Sequence, residues 1–208
     1  MSGGPTHRTV SVPASRLARW IDGFVERHGG SPHMVDGVLA IDGSDGSTAR
    51  LIPLFPFDGA TTDSFVEHVG NPPRCAVLLI RRGGFAAAIV AGGAVIASDV
   101  GRRHVQGRTA AGGWSQQRFA RRRQKQSDEL VDAAVDYAVR VILPALPVEW
   151  LVTGGDRPLI DQALTDPRLR PLQSLRRGPH LEVPDPRRDV VTALPEKLSS
   201  ARIDLIDP

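Results

Sequence analysis

Residues 101–127 read GRRHVQGRTAAGGWSQQRFARRRQKQS. Seven arginines (Arg102, Arg103, Arg108, Arg118, Arg121, Arg122 and Arg123) and Lys125 stand here without one Asp or Glu, a formal charge of +8. The whole chain of 208 residues carries only +3, so its other 181 residues are net −5. Such a segment attracts polyanions, because each phosphate it neutralises releases condensed counterions. A solvated helix face is the plainer alternative, but such faces intersperse carboxylates with their cations, and this one has none. The order is basic loop, small-residue hinge at Ala110-Ala111-Gly112-Gly113, a neutral Trp114-Ser115-Gln116-Gln117 step, then an arginine-bearing helix. Glycine lacks Cβ, so Gly112 and Gly113 let backbone come close to a partner.

From Ser115 the helical pattern continues to Leu143 and is stopped by Pro144. Leu130, Ala133, Ala134, Tyr137, Ala138 and Val141 form a buried stripe in its second half, with Phe119 alone in the first. At 1.5 Å per residue this helix is about 40 Å long, and its basic first half is expected to project. Asp128, Glu129, Asp132 and Asp136 then return the surface to acidic character.

Upstream, apolar residues Leu17, Trp20, Ile21, Phe24 and Val25 predict a helix from Pro13 to His28, ended by Gly29-Gly30. Val35–Ile41 and Thr48–Leu54 read as strands, and Thr62–Val69 as a short helix. The loop Asp42–Ser47 has an acidic, glycine-bearing look but lacks the twelfth-position Glu of a calcium loop, so it reads as a hairpin turn. Cys75–Ile80, Phe85–Ala91 and Ala94–Val100 are three strands joined by glycine-bearing turns. Downstream, Glu149–Val152 is a strand leading through Thr153-Gly154-Gly155-Asp156-Arg157-Pro158 into a helix through Ala163. That turn suggests nucleotide binding, but no P-loop lysine or full glycine fingerprint accompanies it. Arg168, Arg170, Arg176 and Arg177 form a second, weaker basic patch in an irregular stretch. His180–Val183 reads as a strand and Asp185-Pro186 as the start of a last helix.

This alternation, with its hairpin-rich part, predicts one α+β (mixed α/β) domain over residues 10–194. Residues 1–9 are expected to be a disordered lead and 195–208 a loosely held tail. The sole cysteine, Cys75, excludes a disulfide framework and lies in an apolar run, as a buried structural thiol does. No signal core opens the chain, and no apolar run approaches the ~20 residues that span a bilayer, so a cytoplasmic protein without membrane partners is expected.

The segment GGWSQQRFARRRQKQ resembles the active loop and following helix of the translation release-factor superfamily. It is most similar to the actinobacterial VLRF-type peptidyl-tRNA hydrolases, relatives of the Vms/ANKZF release factors, whose motif is Gly-x-x-Gln. Gly113-Trp114-Ser115-Gln116 meets that pattern. Aligning Arg118-Phe119-Ala120-Arg121 with the helix of eukaryotic and archaeal class I release factors instead puts Trp114 where their glutamine sits. Gln116 is the preferred residue and Gln117 a near substitute. The resemblance implies an RNase H-like sheet flanked by helices, as in the release-factor middle domain, with a projecting basic loop and long helix. It implies a monomer that hydrolyses peptidyl-tRNA on stalled large ribosomal subunits, touching ribosomal RNA and needing no cofactor.

On this reading Gln116 places the hydrolytic water, Gly112 and Gly113 give the loop reach, and Ser115 either caps the helix or touches the tRNA end. Trp114 stacks on a nucleotide or anchors the loop, and the arginines with Lys125 hold RNA backbone. Two other readings stay open. A metal-dependent nuclease acting on tRNA or structured RNA would need Asp36, Asp42, Asp58 and Asp99 to converge. A non-catalytic ribosome- or RNA-binding module would use the arm alone. The six histidines lack paired ligand spacing and no GxSxG elbow occurs, which argues against zinc and serine hydrolases.

Overall fold

Strands buried on both faces mark the centre of a sheet, and Cys75–Arg81 is such a strand, with every residue from Cys75 to Ile80 buried. The computed structural model describes residues 6–103 and 115–208, without the side chains of 115–120 and 123. In chain order the first elements are β1 (Thr6–Pro13), α1 (Ala14–His28), β2 (His33–Val35), β3 (Val38–Asp42), β4 (Thr48–Pro53) and α2 (Thr62–Gly70). Next come β5 (Cys75–Arg81), β6 (Gly84–Ala91), β7 (Ala94–Gly101), α3 (Ser115–Val141), β8 (Trp150–Gly155), α4 (Arg157–Leu164) and β9 (Arg176–Leu181). The chain continues through α5 (Arg188–Thr192), α6 (Leu194–Leu198) and β10 (Ser200–Asp207).

These elements form two units, the first from residues 1–72 with 195–208 and the second from 73–194. The second unit holds a sheet ordered β7-β6-β5-β8-β9. Strand β6 runs antiparallel to β5 and β7, while β5, β8 and β9 are parallel. This is the RNase H-like order, in which the first strand is central and the second alone is reversed. Leu130, Val131, Ala134, Val135, Ala138 and Ile142 of the α3 region pack with Ala76, Leu78, Ile80, Phe85 and Ile89 of the sheet. Leu159, Ile160 and Ala163 of α4 complete that layer, with Leu169 and Leu172 from a 3-10 stretch, Pro167–Ser174. Gly155 turns the chain from β8 into α4 at φ +92°, where an added Cβ would lie 2.2 Å from the Ile80 carbonyl oxygen. The close approach is held by the Asp156 N–H, which donates to that same oxygen at 2.7 Å. Burial pushes the Cys75 thiol up to about 12, so it is an inert core group.

The first unit is an antiparallel sheet ordered β1-β10-β4-β3-β2. Its core joins Leu17, Ile21 and Phe24 of α1 and Phe65 and Val69 of α2 to Leu39, Ile41, Leu51, Ile203 and Leu205 of the strands. Helix α2 starts with a capping box: the Ser64 N–H donates to Thr61 Oγ1 and the Thr61 N–H to Ser64 Oγ. The β3–β4 turn is a hairpin tied by Asp45, whose carboxylate meets His28 Nδ1 at 2.8 Å and accepts from the Ser47 N–H at 2.9 Å. These contacts, the His28 one foremost, hold the Asp45 carboxyl down at about 2.

Three expectations are corrected. The lead through residue 9 is instead strand β1 from Thr6 on, paired with β10 along its whole length. The tail beyond residue 195 is strand β10, an interior strand between β1 and β4, with Ala201, Ile203 and Leu205 buried. One domain over 10–194 becomes two units, because the first sheet is completed by residues some 150 positions from its β4 partners. The last strand also shifts, from His180–Val183 to Arg176–Leu181, and α5 starts at Arg188. Among the described residues no helix is long and apolar enough to cross a membrane.

Ile203→Ala should lower the stability of the first unit by about 2–5 kcal/mol in a urea melt, whereas a loose tail would give no change. Asp45 is depressed in the fold, so its contribution is present above pH ~4 and fades as pH falls toward 2. Asp45→Asn should therefore flatten the loss of melting temperature between those two values.

Candidate RNA-facing segment

Strand β7 ends at Gly101, and α3 begins at Ser115. The end of β7 and the second half of α3 are pinned together on the sheet. Gly101 is buried beneath a T-shaped pair, Phe85 and Tyr137, whose ring centroids lie 4.8 Å apart at 87°. A Cβ at Gly101 would sit 2.3 Å from the Phe85 ring and 3.1 Å from Tyr137, so only glycine fits. Arg140 lies over the Tyr137 ring, 4.3 Å from its centroid, and donates to the Asp99 carboxylate of β7. That bond to Asp99, with the neighbouring Tyr137, raises the Arg140 guanidinium above its ordinary value. Asp99 also accepts from the Val100 N–H at 2.9 Å. The second half of α3 and the end of β7 thus form one seat at the base of the basic segment.

Helix α3 has 27 residues, about 40 Å. Arg121, Arg122, Gln124 and Lys125 are exposed, and the first buried residue described on it is Leu130. Arg102 and Arg103, just beyond the seat, are exposed as well. Gln116, Gln117, Ser115 and Arg118 fall in the opening turns of α3, but their side chains, like that of Arg123, lie outside the described residues. Arg108, Gly112, Gly113 and Trp114 lie wholly outside them.

The second basic patch dissolves in part. Arg168 is gripped by Asp166, Asp132 and Asp136, with donor–acceptor distances of 2.5–2.9 Å. The Asp166 carboxylate foremost, with that of Asp132, raises its guanidinium above the ordinary arginine range, and Arg168 in turn lowers Asp166. Its charge ties the Pro167–Ser174 stretch to α3 instead of meeting a ligand. Arg176 lies over the Trp150 ring at 5.6 Å. Arg170 and Arg177 stay exposed. For the nuclease reading, Asp42 is bonded to Arg50 at 2.7 Å and Asp99 to Arg140. Among the described residues no three His, Cys, Asp or Glu side chains gather as a metal site. The seat of Gly101, Phe85, Tyr137, Asp99 and Arg140 was missed in the sequence. Its one signal was a glycine closing an otherwise regular strand.

The family described as "Actinobacteria/chloroflexi VLRF1 release factor" matches residues 73–204, which include the whole second unit and the start of β10. The chain belongs to this family. Solved structures similar to it include the archaeal translation termination factor aRF1, at 11% identity over 92% of this chain and 64% of that one, TM-score 0.40. Pelota of Archaeoglobus fulgidus is similar at 11% identity over 83% of this chain and 50% of its own, TM-score 0.30. A chain described as an archaeal protein gives 12%, 76%, 52% and 0.27. The VLRF1-family chain therefore spans less than two thirds of the length of each. No curated protein matches it.

Gly101→Ala forces the Phe85–Tyr137 pair apart and should cost about 1–3 kcal/mol in a urea melt. Ala94→Val, at the exposed opposite end of β7, should leave stability nearly unchanged.

Proposed function

We propose that this VLRF1-family chain is a ribosome-associated peptidyl-tRNA hydrolase, freeing nascent peptides from stalled large subunits in ribosome quality control. The observation that supports it most is the position of the +8 segment within the residues that match a release-factor family. The substrate is the ester between peptide and the 3′-terminal ribose of tRNA. Hydrolysis of this activated ester mainly needs a placed water and a stabilised oxyanion. Water oxygen attacks the carbonyl carbon, the bond to the ribose oxygen breaks, and the proton released by water ends on that oxygen. The peptide leaves with a new carboxyl group.

Gln116 is assigned to water placement. An amide neither gains nor loses a proton at neutral pH, so it is no general base, but it donates and accepts at once and can orient water. Gly112 and Gly113 supply close backbone approach, and Ser115 and Gln117 flank the amide. Arg102, Arg103, Arg108, Arg118, Arg121, Arg122, Arg123 and Lys125 would hold RNA phosphates, with Trp114 available for stacking. Backbone contacts of this kind position a factor without reading sequence, which suits one that meets many different stalled chains. A monomer acting in the cytoplasm, without a cofactor, completes the reading.

The test is single-turnover peptide release from peptidyl-tRNA on isolated large subunits. Gln116→Ala should slow release by about 10²–10³, the scale of losing one oriented polar group at a reacting centre. Gln117→Ala should have a small effect, and the tRNA should remain uncut. Release that ignores both substitutions would move the chemistry off this loop. Shortened, magnesium-dependent RNA products would favour the nuclease. Binding without any release would leave an RNA-binding module.

A further inference from the structure

Two grooves of the second unit have no part in the reading above. One, of about 610 Å³, lies between α3 and α4 at the carboxyl ends of β5 and β8, with Arg82, Gln124, Arg157, Gln162 and Glu182 in its walls. The other, of about 640 Å³, lies against the opposite face of α4, between it and β9, and carries Arg157, Asp161, Gln173 and Arg177. Both sizes fall in the range of roughly 300–1,000 Å³ that holds a nucleotide-sized ligand. Arg157 and His180 belong to both.

His180 is a fixed post between them. Its Nε2 lies 3.1 Å from the Gly155 carbonyl oxygen, which can only accept, so Nε2 carries hydrogen. The Thr153 hydroxyl lies 3.0 Å from Nδ1. With both nitrogens engaged, His180 is held in place between the grooves. Arg82, Arg157 and Arg177 are all exposed; Arg82 lines the first groove, Arg177 the second and Arg157 both. Asp156, Asp161 and Glu182 face the same space, so the lining is close to neutral. It does not repeat the basic arm, and a phosphate meets a cation in it only at these three arginines.

The lining suits a ligand that alternates phosphates with groups that donate hydrogen bonds. Guanidiniums take phosphates, while carboxylates and amides take exocyclic amines and ribose hydroxyls. A duplex keeps its bases stacked and paired, out of reach of pockets this size. We propose that the two grooves are consecutive nucleotide sites for an unpaired RNA strand, with Arg157 on the phosphate between them and Arg82 and Arg177 on the flanking phosphates. This rests on the RNA-directed reading of the protein but requires no catalysis. It gives a role to the Gly-Gly end of β8, from which the chain turns into α4 and Arg157.

The experiment is fluorescence anisotropy of the full chain with a labelled RNA hexanucleotide, the same sequence as a duplex, and its DNA counterpart. Arg157→Ala/Arg177→Ala removes two exposed side chains, so the fold should be kept, as a thermal melt will check. Binding of unpaired RNA should weaken roughly tenfold, and its logarithmic salt slope should fall by about 1.4, while duplex binding barely moves. Arg121→Glu/Arg122→Glu should weaken both. Unchanged affinity of the groove variant, an equal loss for the duplex, or no binding of the hexanucleotide by the unaltered chain would overturn the proposal. Cross-linking of 4-thiouridine RNA to the unaltered protein gives a readout independent of variant folding. Adducts within residues 150–182 are expected, and adducts confined to 102–125 would overturn it. Peptide release that fails while the grooves still bind sinks only the hydrolase reading, and the reverse result sinks only this one.

Discussion

Eight positive charges on one stretch repel one another, and nothing within residues 101–127 relieves them. On either side of this segment the described residues are held by apolar burial. Leu130, Val131, Ala134, Val135 and Ala138 lock the second half of α3 on the sheet, and Gly101 passes beneath Phe85 and Tyr137. The Arg140–Asp99 bond ties these two supports together. An exposed ion pair adds little stability by itself, so its worth here is directional: it links strand to helix at the point where the chain leaves the sheet. Rigid support beneath a reactive or binding loop is the general condition for precision at its tip.

The same neutralisation logic separates the arginines of this chain. Arg168 sits among three aspartates and is consumed by structure. Arg121 and Arg122 stand between Ala120 and Arg123 in sequence, Lys125 between Gln124 and Gln126, and all three stay exposed. Sequence proximity to acids, three and four residues along a helix, does not tell these cases apart, because Asp132 and Asp136 reach Arg168 across more than thirty positions. Charge counting finds the arm, and only the fold shows which lesser cations are already spoken for.

Much of the second unit is legible in its sequence. Its strands are short, apolar and β-branched, its turns carry glycine, and α3 has a long stripe of period 3.6, all of which are local signals. The family motif also lies in one continuous stretch. What escaped was non-local. Residues 200–207 alternate Ala201, Ile203 and Leu205 with Arg202, Asp204 and Ile206, a period of two that looks unremarkable until its partners, β1 and β4, are known. Thr6–Pro13 is similarly mixed in polarity. The Gly101 seat depends on Phe85 and Tyr137 meeting from different elements, and the two grooves depend on α3, α4 and β9 converging around Arg157. Neither constellation has a spacing to read. Water placement by Gln116 remains a matter of motif, since it concerns side chains beyond those described.

The interior place of β10 has a consequence for how the chain is made. Synthesis delivers β1 through α2 before the second unit, yet their sheet lacks the strand that joins β1 to β4 until residues 200–207 have cleared the ribosome. The second unit draws all its strands from 73–194 and can assemble in the meantime. The second unit's sheet can therefore be complete before the sheet of residues 1–72 is, and until residues 200–207 arrive the β1 and β4 edges that flank β10 stay unpaired.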